Sequence, residues 1–186
     1  IQDLSINDFC ELFNLKQNIS DLFFPNPSIL VAGCGTGQHP IITSQTFLNA
    51  EITAIDFSTT SIAYAERKCR ELDIGNVSYY NCDILNVERL DKKFDLIECY
   101  GVLHHMSDPK LGWEKLYNQL NNGGYMGIGL YSQYARKHIS KIRLETKKLR
   151  SDNLGSHDIR KLRHQLILSD EAHHRLALGS GDFYSV

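Results

Sequence analysis

Apolar residues along this chain fall into short blocks with two rhythms. Ile29–Ala32, Glu51–Asp56 (EITAID), Val77–Tyr80 and Phe94–Tyr100 (FDLIECY) are compact runs bounded by turn formers, and Tyr125–Tyr131 is a fifth. Such runs predict strands, the densest of them buried on both faces. Between them the spacing turns helical. A helix is expected from about Pro40 to Phe47, where proline suits a first turn. Ser58 can cap a second, in which Ile62, Ala65, Cys69 and Leu72 share one stripe and Gly75 supplies a left-handed stop. Asp108-Pro109 starts a third, running to about Leu120, with Trp113, Leu116, Tyr117 and Leu120 as its buried face, and Asn121–Gly124 then turns the chain. Upstream, Ser5–Asp8 has the form of a capping box, and Ile6, Phe9 and Phe13 recur at helical spacing, predicting an N-terminal helix that ends before Pro25.

Strands alternating with helices imply β-α-β units: a three-layer α/β sandwich with a mostly parallel sheet and right-handed crossovers. Ligands of such sheets bind at the carboxyl ends of the strands, near the switch point beside the first. With 186 residues, 42% of them hydrophobic, the chain can bury one sizeable core. No apolar run approaches the roughly 18 residues of a membrane span, and no signal peptide opens the sequence. Five cysteines, without a C-x-x-C pair, read as reduced thiols in a cytoplasm.

Charge divides the chain. Through residue 130 there are 9 Lys/Arg against 16 Asp/Glu; beyond it, 11 against 6. Residues 1–131 are therefore read as the core with its N-terminal helix, and 132–186 as a basic helical tail or insertion covering the active site. The basic run Arg136–Arg150 carries Ala135, Ile139, Ile142 and Leu149 at helical spacing, which favours a solvated helix face over a nucleic-acid patch. Ser156 opens a further helix with Ile159, Leu162 and Leu166 on one face, and another runs from about Asp170 to Leu178, ended by Gly179. The start at Ile1 and the end at Val186 suggest a piece of something longer.

The candidate chemistry centres on VAGCGTGQH, directly after the first strand. Gly33, Gly35 and Gly37, with Cys34 among them, make a turn whose backbone a ligand can approach. A dinucleotide fingerprint would place its third glycine at position 38, where glutamine stands, and no G-K-[ST] follows for a phosphate loop. Asp56, at the tip of the second strand, can accept hydrogen bonds from both hydroxyls of a ribose. Asp83 ends the third strand, where its carboxylate can take an adenine amino group while the Ile84 amide meets a ring nitrogen.

In order and spacing, VAGCGTG, ITAIDFS, NCDI, FDLIECYGVLHHMSDP and NNGGYMGIGLYS resemble the class I S-adenosylmethionine-dependent methyltransferases over residues 26–131. The resemblance implies a Rossmann-like fold and S-adenosylmethionine as cofactor. It sets the glycines under the methionine part, Asp56 on the ribose, Phe57 against adenine, Asp83 and Ile84 reading the base, and Cys99 and Tyr100 beside the cofactor. The family's acid two residues before the first glycine is replaced by Val31. The family's last two strands have no candidates before Val186, so the sheet is expected to lack them. The tail after GLYS is similar to that of bacterial methyltransferase domains attached to tetratricopeptide-type repeats.

An acceptor that must lose a proton needs a base, and His104 and His105, after the fourth strand, are the candidates. They, His39, His173 and His174 show no ligand spacing with a carboxylate or cysteine, so no metal is expected. ECYG stands where an N-P-P-Y motif would mark DNA amine methylation, and no Pro-Cys nucleophile is present, leaving small-molecule or protein acceptors. The rival readings are a non-catalytic S-adenosylmethionine-binding domain and an NAD-linked oxidoreductase.

Overall fold

The computed structural model describes residues 25–132, 134, 136–147 and 156–178. The predicted N-terminal helix, Cys10, Ala135, Leu149 and Gly179 lie outside them. Five strands, β1 (Ser28–Ala32), β2 (Glu51–Asp56), β3 (Val77–Asn81), β4 (Phe94–Tyr100) and β5 (Leu120–Gly129), form one sheet in the order β3-β2-β1-β4-β5. Every pairing is parallel. Strand order reverses beside β1, which opens a crevice at its carboxyl end.

Alternation along the strands divides the core between the two faces of the sheet. Ile29 and Val31 of β1 join Ile52, Ala54 and Leu96 on one face. Leu30 and Ala32 join Ile55, Ile97 and Cys99 on the other. This is why β1, β2 and β4 read as continuous apolar runs: each is wanted on both sides.

Helix α1 (Gln38–Thr46) starts two residues earlier than expected, so Pro40 is its third residue, still within the turn whose N–H groups lack helical partners. Helix α2 (Thr59–Glu71) begins where Ser58 Oγ accepts the Ser61 N–H, as the sequence predicts, and buries Ile62, Ala65 and Cys69. Two expectations fail there. Leu72 is exposed, and the left-handed residue is Asp73 (φ 55°), not Gly75, because a short polar side chain tolerates that conformation where the chain turns.

Helix α3 (Pro109–Tyr117) is capped by Asp108, which accepts the Lys110 and Leu111 N–H groups. It ends three residues before the predicted Leu120, and its inner face is Gly112 and Leu116. Trp113 and Tyr117 are exposed, contrary to expectation. A Cβ at Gly112 would lie 2.6 Å from Met106 Sδ, so the close approach of the 3-10 turn Leu103–His105 fixes which stripe of α3 faces inward. Asn121–Gly124 is not a turn but the first half of β5, paired to β4 across an irregularity between Phe94 and Leu96. A ladder is made by backbone groups, so this polar, glycine-rich stretch extends an outer strand without apolar side chains.

The described chain divides into two compact units, 1–130 and 131–186. Within the second, α4 (Lys137–Lys147), α5 (Ser156–Ile167) and α6 (Ala172–Leu178) confirm a helical segment. Ile139 and Ile142 of α4 are half-buried, as are Leu162 and Leu166 of α5, while Ile159 is exposed. Among the described residues no helix is long and apolar enough to cross a membrane.

Candidate active site

The loop after β1 is held from β2. Gly33 and Cys34 donate their N–H groups to Ile55 O at 2.8 and 2.9 Å, so the chain leaves β1 by folding over the neighbouring strand. One residue on, Asp56 Oδ2 accepts the Gly35 N–H at 2.8 Å, and its Oδ1 accepts the Ser58 N–H at 2.9 Å. Each carboxylate oxygen keeps a further acceptor site for a ligand hydroxyl. Asp56 thus braces the bare loop, a role its spacing alone did not reveal.

The three glycines are required for different reasons. At Gly33 (φ 75°) a Cβ would come within 2.4 Å of Val102, and at Gly37 (φ 91°) within 2.6 Å of the Ala65 Cβ on α2. Gly35 (φ 52°) meets nothing within 4 Å. Of the three, only Gly35 leaves open space above the backbone, while its neighbours let the loop close onto the protein.

A cleft of about 670 Å³ opens at the carboxyl edge of the sheet, a size suited to a nucleoside-like ligand. Of the residues nominated from sequence it gathers Gly33, Asp56, Phe57, Asp83, Ile84 and His105. Phe57 is 80% exposed, an apolar ring left for a planar partner to cover. Asp83 Oδ1 accepts the Leu85 N–H at 2.9 Å, opening the 3-10 stretch Ile84–Leu90, and its other oxygen is open. The opposite wall comes from Gly101, Val102, Met106 and Asp108, which the sequence reading missed. Their only signal was position, directly after a strand that ends at the crevice.

The other nominated residues stand elsewhere. Cys99 is fully buried in the apolar cluster on one face of β4, a correction to its expected place beside a ligand: it packs among Leu30, Ile97 and Leu103. Tyr100 turns the other way and lies over β5, where a Cβ at Gly127 would be 2.2 Å from its hydroxyl oxygen. Cys34 is buried under its own loop, and the ring of His104 packs beside His105 at 4.2 Å without lining the cleft.

Burial, and secondarily the negative charge of Asp56, pushes the Cys34 thiol up to about 12; burial pushes Cys99 up to about 11. Both stay neutral thiols near pH 7, so neither is a nucleophile. Iodoacetamide at pH 8 is therefore expected to spare Cys34, whose thiolate fraction is lowered ~1000-fold. Half-buried Cys82, which lines the cleft, should be labelled first among the described cysteines. Mass spectrometry of the native protein reads this, and rapid labelling of Cys34 would contradict it.

A cluster missed by spacing lies in the second unit: Glu145 of α4 meets His173 Nε2 at 2.8 Å and His174 Nε2 at 2.9 Å. Lys141 Nζ, 3.3 Å from His173 Nδ1, suits a tautomer whose Nε2–H donates to the carboxylate. The two histidines hold the Glu145 carboxyl below its usual range. This is a hydrogen-bonded link between α4 and α6.

Comparison with known proteins agrees with this geometry. A family described as a methyltransferase domain matches residues 24–178. An uncharacterized protein of Synechococcus is 33% identical over 132 residues, 70% of this chain and 32% of that protein. A malonyl-[acyl-carrier protein] O-methyltransferase of Bacillus anthracis is 31% identical over 122 residues, 64% of this chain and 44% of the relative. The chain thus spans between a third and a half of these relatives. Among solved structures, an S-adenosylmethionine-dependent methyltransferase from Clostridium acetobutylicum superposes with a TM-score of 0.57 at 25% identity, covering 72% of this chain and 51% of its own. The parallel sheet flanked by helices is that of the methyltransferase Rossmann-like fold, and the chain belongs to the methyltransferase-domain family.

Proposed function

We propose that this chain is the S-adenosylmethionine-binding core of a methyltransferase acting on a small-molecule or protein acceptor. The observation that carries the reading is Asp56, which fastens the bare loop through the Gly35 N–H and lines the same cleft as Gly33, Phe57 and Asp83. These residues fit an adenosyl group. Asp56 has acceptor capacity left for ribose hydroxyls, Phe57 offers its exposed ring to adenine, and Asp83 with the Ile84 amide reads the base edge. Gly33, Gly35 and Gly37 shape the backbone beneath the methionine portion.

Bound there, the sulfonium supplies a methyl group already activated for transfer. The protein's contribution is alignment and exclusion of water, which can lower a barrier by several kcal/mol. His105, at the cleft rim, is placed to orient an acceptor. The match to residues 24–178 runs through the helical tail, which supports 132–186 as an insertion serving the same domain. A cytoplasmic setting and tetratricopeptide-type repeats elsewhere in a longer chain extend the same proposal, and the B. anthracis relative supports a carrier-bound or small acceptor.

Calorimetric titration with S-adenosylhomocysteine and, separately, NAD tests the reading. Saturable binding of the first and none of the second is expected. Binding of NAD alone would reject it.

A further inference from the structure

We propose that Glu145 of α4 and His173 and His174 of α6 form a binding site for one divalent transition-metal ion, zinc by preference, which ties the two helices together. The inference concerns the second unit alone and does not depend on the methyltransferase reading.

Among the described residues, one group of three His, Cys, Asp or Glu side chains brings its candidate ligand atoms within 4.8 Å of one another, and it is this one. His173 Nε2 lies 2.8 and 3.0 Å from Glu145 Oε1 and Oε2, and His174 Nε2 lies 2.9 Å from Oε2. Consecutive residues of a helix point about 100° apart, so neighbouring imidazoles ordinarily diverge. Here the two rings stand 4.2 Å apart and both turn Nε2 to one carboxylate. The histidine side chains are only 11% and 12% exposed, whereas that of Glu145 is 41% exposed. The donor atoms therefore converge in a shielded place with one open side. Spacing along the chain gave no sign of this, since Glu145 stands 28 residues before His173.

The donor set selects the ion. Two imidazole nitrogens with one carboxylate oxygen suit zinc and its neighbours and disfavour magnesium and calcium, which take oxygen ligands. Tetrahedral bonds of about 2.0 to 2.2 Å put neighbouring ligand atoms about 3.3 to 3.5 Å apart, so the histidines and Glu145 need to part by only about half an ångström. Zinc then needs one further ligand, a water entering on the exposed side of Glu145. An octahedral iron(II) would need three around rings that are almost covered, which is why zinc is preferred.

The surroundings accept the change of tautomer that coordination requires. Each imidazole presents Nε2 as a lone pair and carries its proton on Nδ1. Glu171 Oε2 stands 3.7 Å from His173 Nδ1 to face that proton, and the Lys141 ammonium, at 3.3 Å, gives up its contact there. His174 Nδ1 has no hydrogen-bond partner among the described residues, so presenting Nε2 to an ion breaks no bond at its other nitrogen. Coordination replaces hydrogen bonds between α4 and α6 with stronger bonds that the unfolded chain does not hold together, and the ion thereby stabilises the folded unit.

The test titrates zinc chloride into untagged, chelator-stripped protein by calorimetry in a non-coordinating buffer. One tightly bound ion per chain is expected, and excess magnesium should not displace it. Loss of an outer partner alone costs about 10- to 100-fold in metal affinity, so His173→Ala and His174→Ala should each weaken binding by about a hundredfold or more. Glu145→Gln keeps the volume and the hydrogen-bonding capacity, and hence the fold, and should weaken it by about tenfold or more. His157→Ala, at an exposed histidine outside the cluster, should bind within twofold of wild type. Cobalt(II) in place of zinc should show the visible absorption of a four-coordinate ion without thiolate charge transfer, which separates this site from the cysteines. Saturating zinc should raise the thermal midpoint of the wild type more than that of any of the three cluster variants. The proposal is overturned if the wild type binds no zinc, if Glu145→Gln or either histidine variant keeps wild-type affinity, if the cobalt spectrum shows thiolate ligation, or if the thermal midpoint is indifferent to zinc.

Discussion

Asp56→Ala is expected to weaken S-adenosylhomocysteine binding by about 1.5 to 3 kcal/mol, a Kd increase of roughly 10- to 150-fold. Two losses contribute. The ribose hydroxyls lose a charged acceptor, and the Gly35 and Ser58 N–H groups lose theirs, at 2.8 and 2.9 Å. The second loss loosens the one stretch of loop with open space above it. Asp56→Asn separates the contributions, since an amide oxygen can still accept from one backbone N–H while the NH2 group faces the other donor. It should fall between wild type and alanine. Calorimetry at fixed salt measures both, and wild-type affinity in the alanine variant would reject the ribose assignment.

Phe94→Ala is expected to cost about 3 to 5 kcal/mol of folding stability, read as a lowered urea midpoint with an unchanged slope. Phe94 opens β4, is fully buried, and packs in the cluster of Ile97, Leu103 and Leu116 beneath the loop that forms one cleft wall. Its N–H also binds Gln119 O at 2.8 Å, where β5 begins. Removing the ring leaves a cavity at the meeting of β4, β5 and α3 that neighbouring backbone cannot close. Against a typical total of about 5 to 15 kcal/mol, that is a large share. Leu72→Ala, at a side chain left 55% exposed just past the end of α2, should change stability by less than about 0.5 kcal/mol. Equal effects of the two would mean the core is not where the structure puts it.

The sheet was legible because burial on two faces leaves a dense local mark. β1, β2 and β4 could not be other than strands once Ile29–Ala32, Glu51–Asp56 and Phe94–Tyr100 were seen between turn formers. Much of the candidate cleft was legible for a related reason: strand tips in a parallel sheet converge, so Gly33, Asp56 and Asp83 could be brought together by counting strands. Faces and ends were harder. Trp113 looked like core because it is large and apolar, yet Gly112 faces inward, a choice made by the approach of Met106 from another part of the chain. Asn121–Gly124 looked like a turn because its side chains are polar, while the ladder it joins uses only backbone.

Taken alone, the order of residues determined the strand and helix alternation, the switch-point crevice and the bare turn, since each follows from local spacing and from the few ways a parallel sheet can be wound. Only the tertiary structure decided what those groups hold. It made Asp56 a brace for a loop 21 residues away, sent Cys99 into the core and Tyr100 to the opposite face, and seated Glu98 against a histidine 59 residues distant. The physical reason is that a buried charge must find its partner in space, and nothing in the local pattern around either residue records which partner that will be.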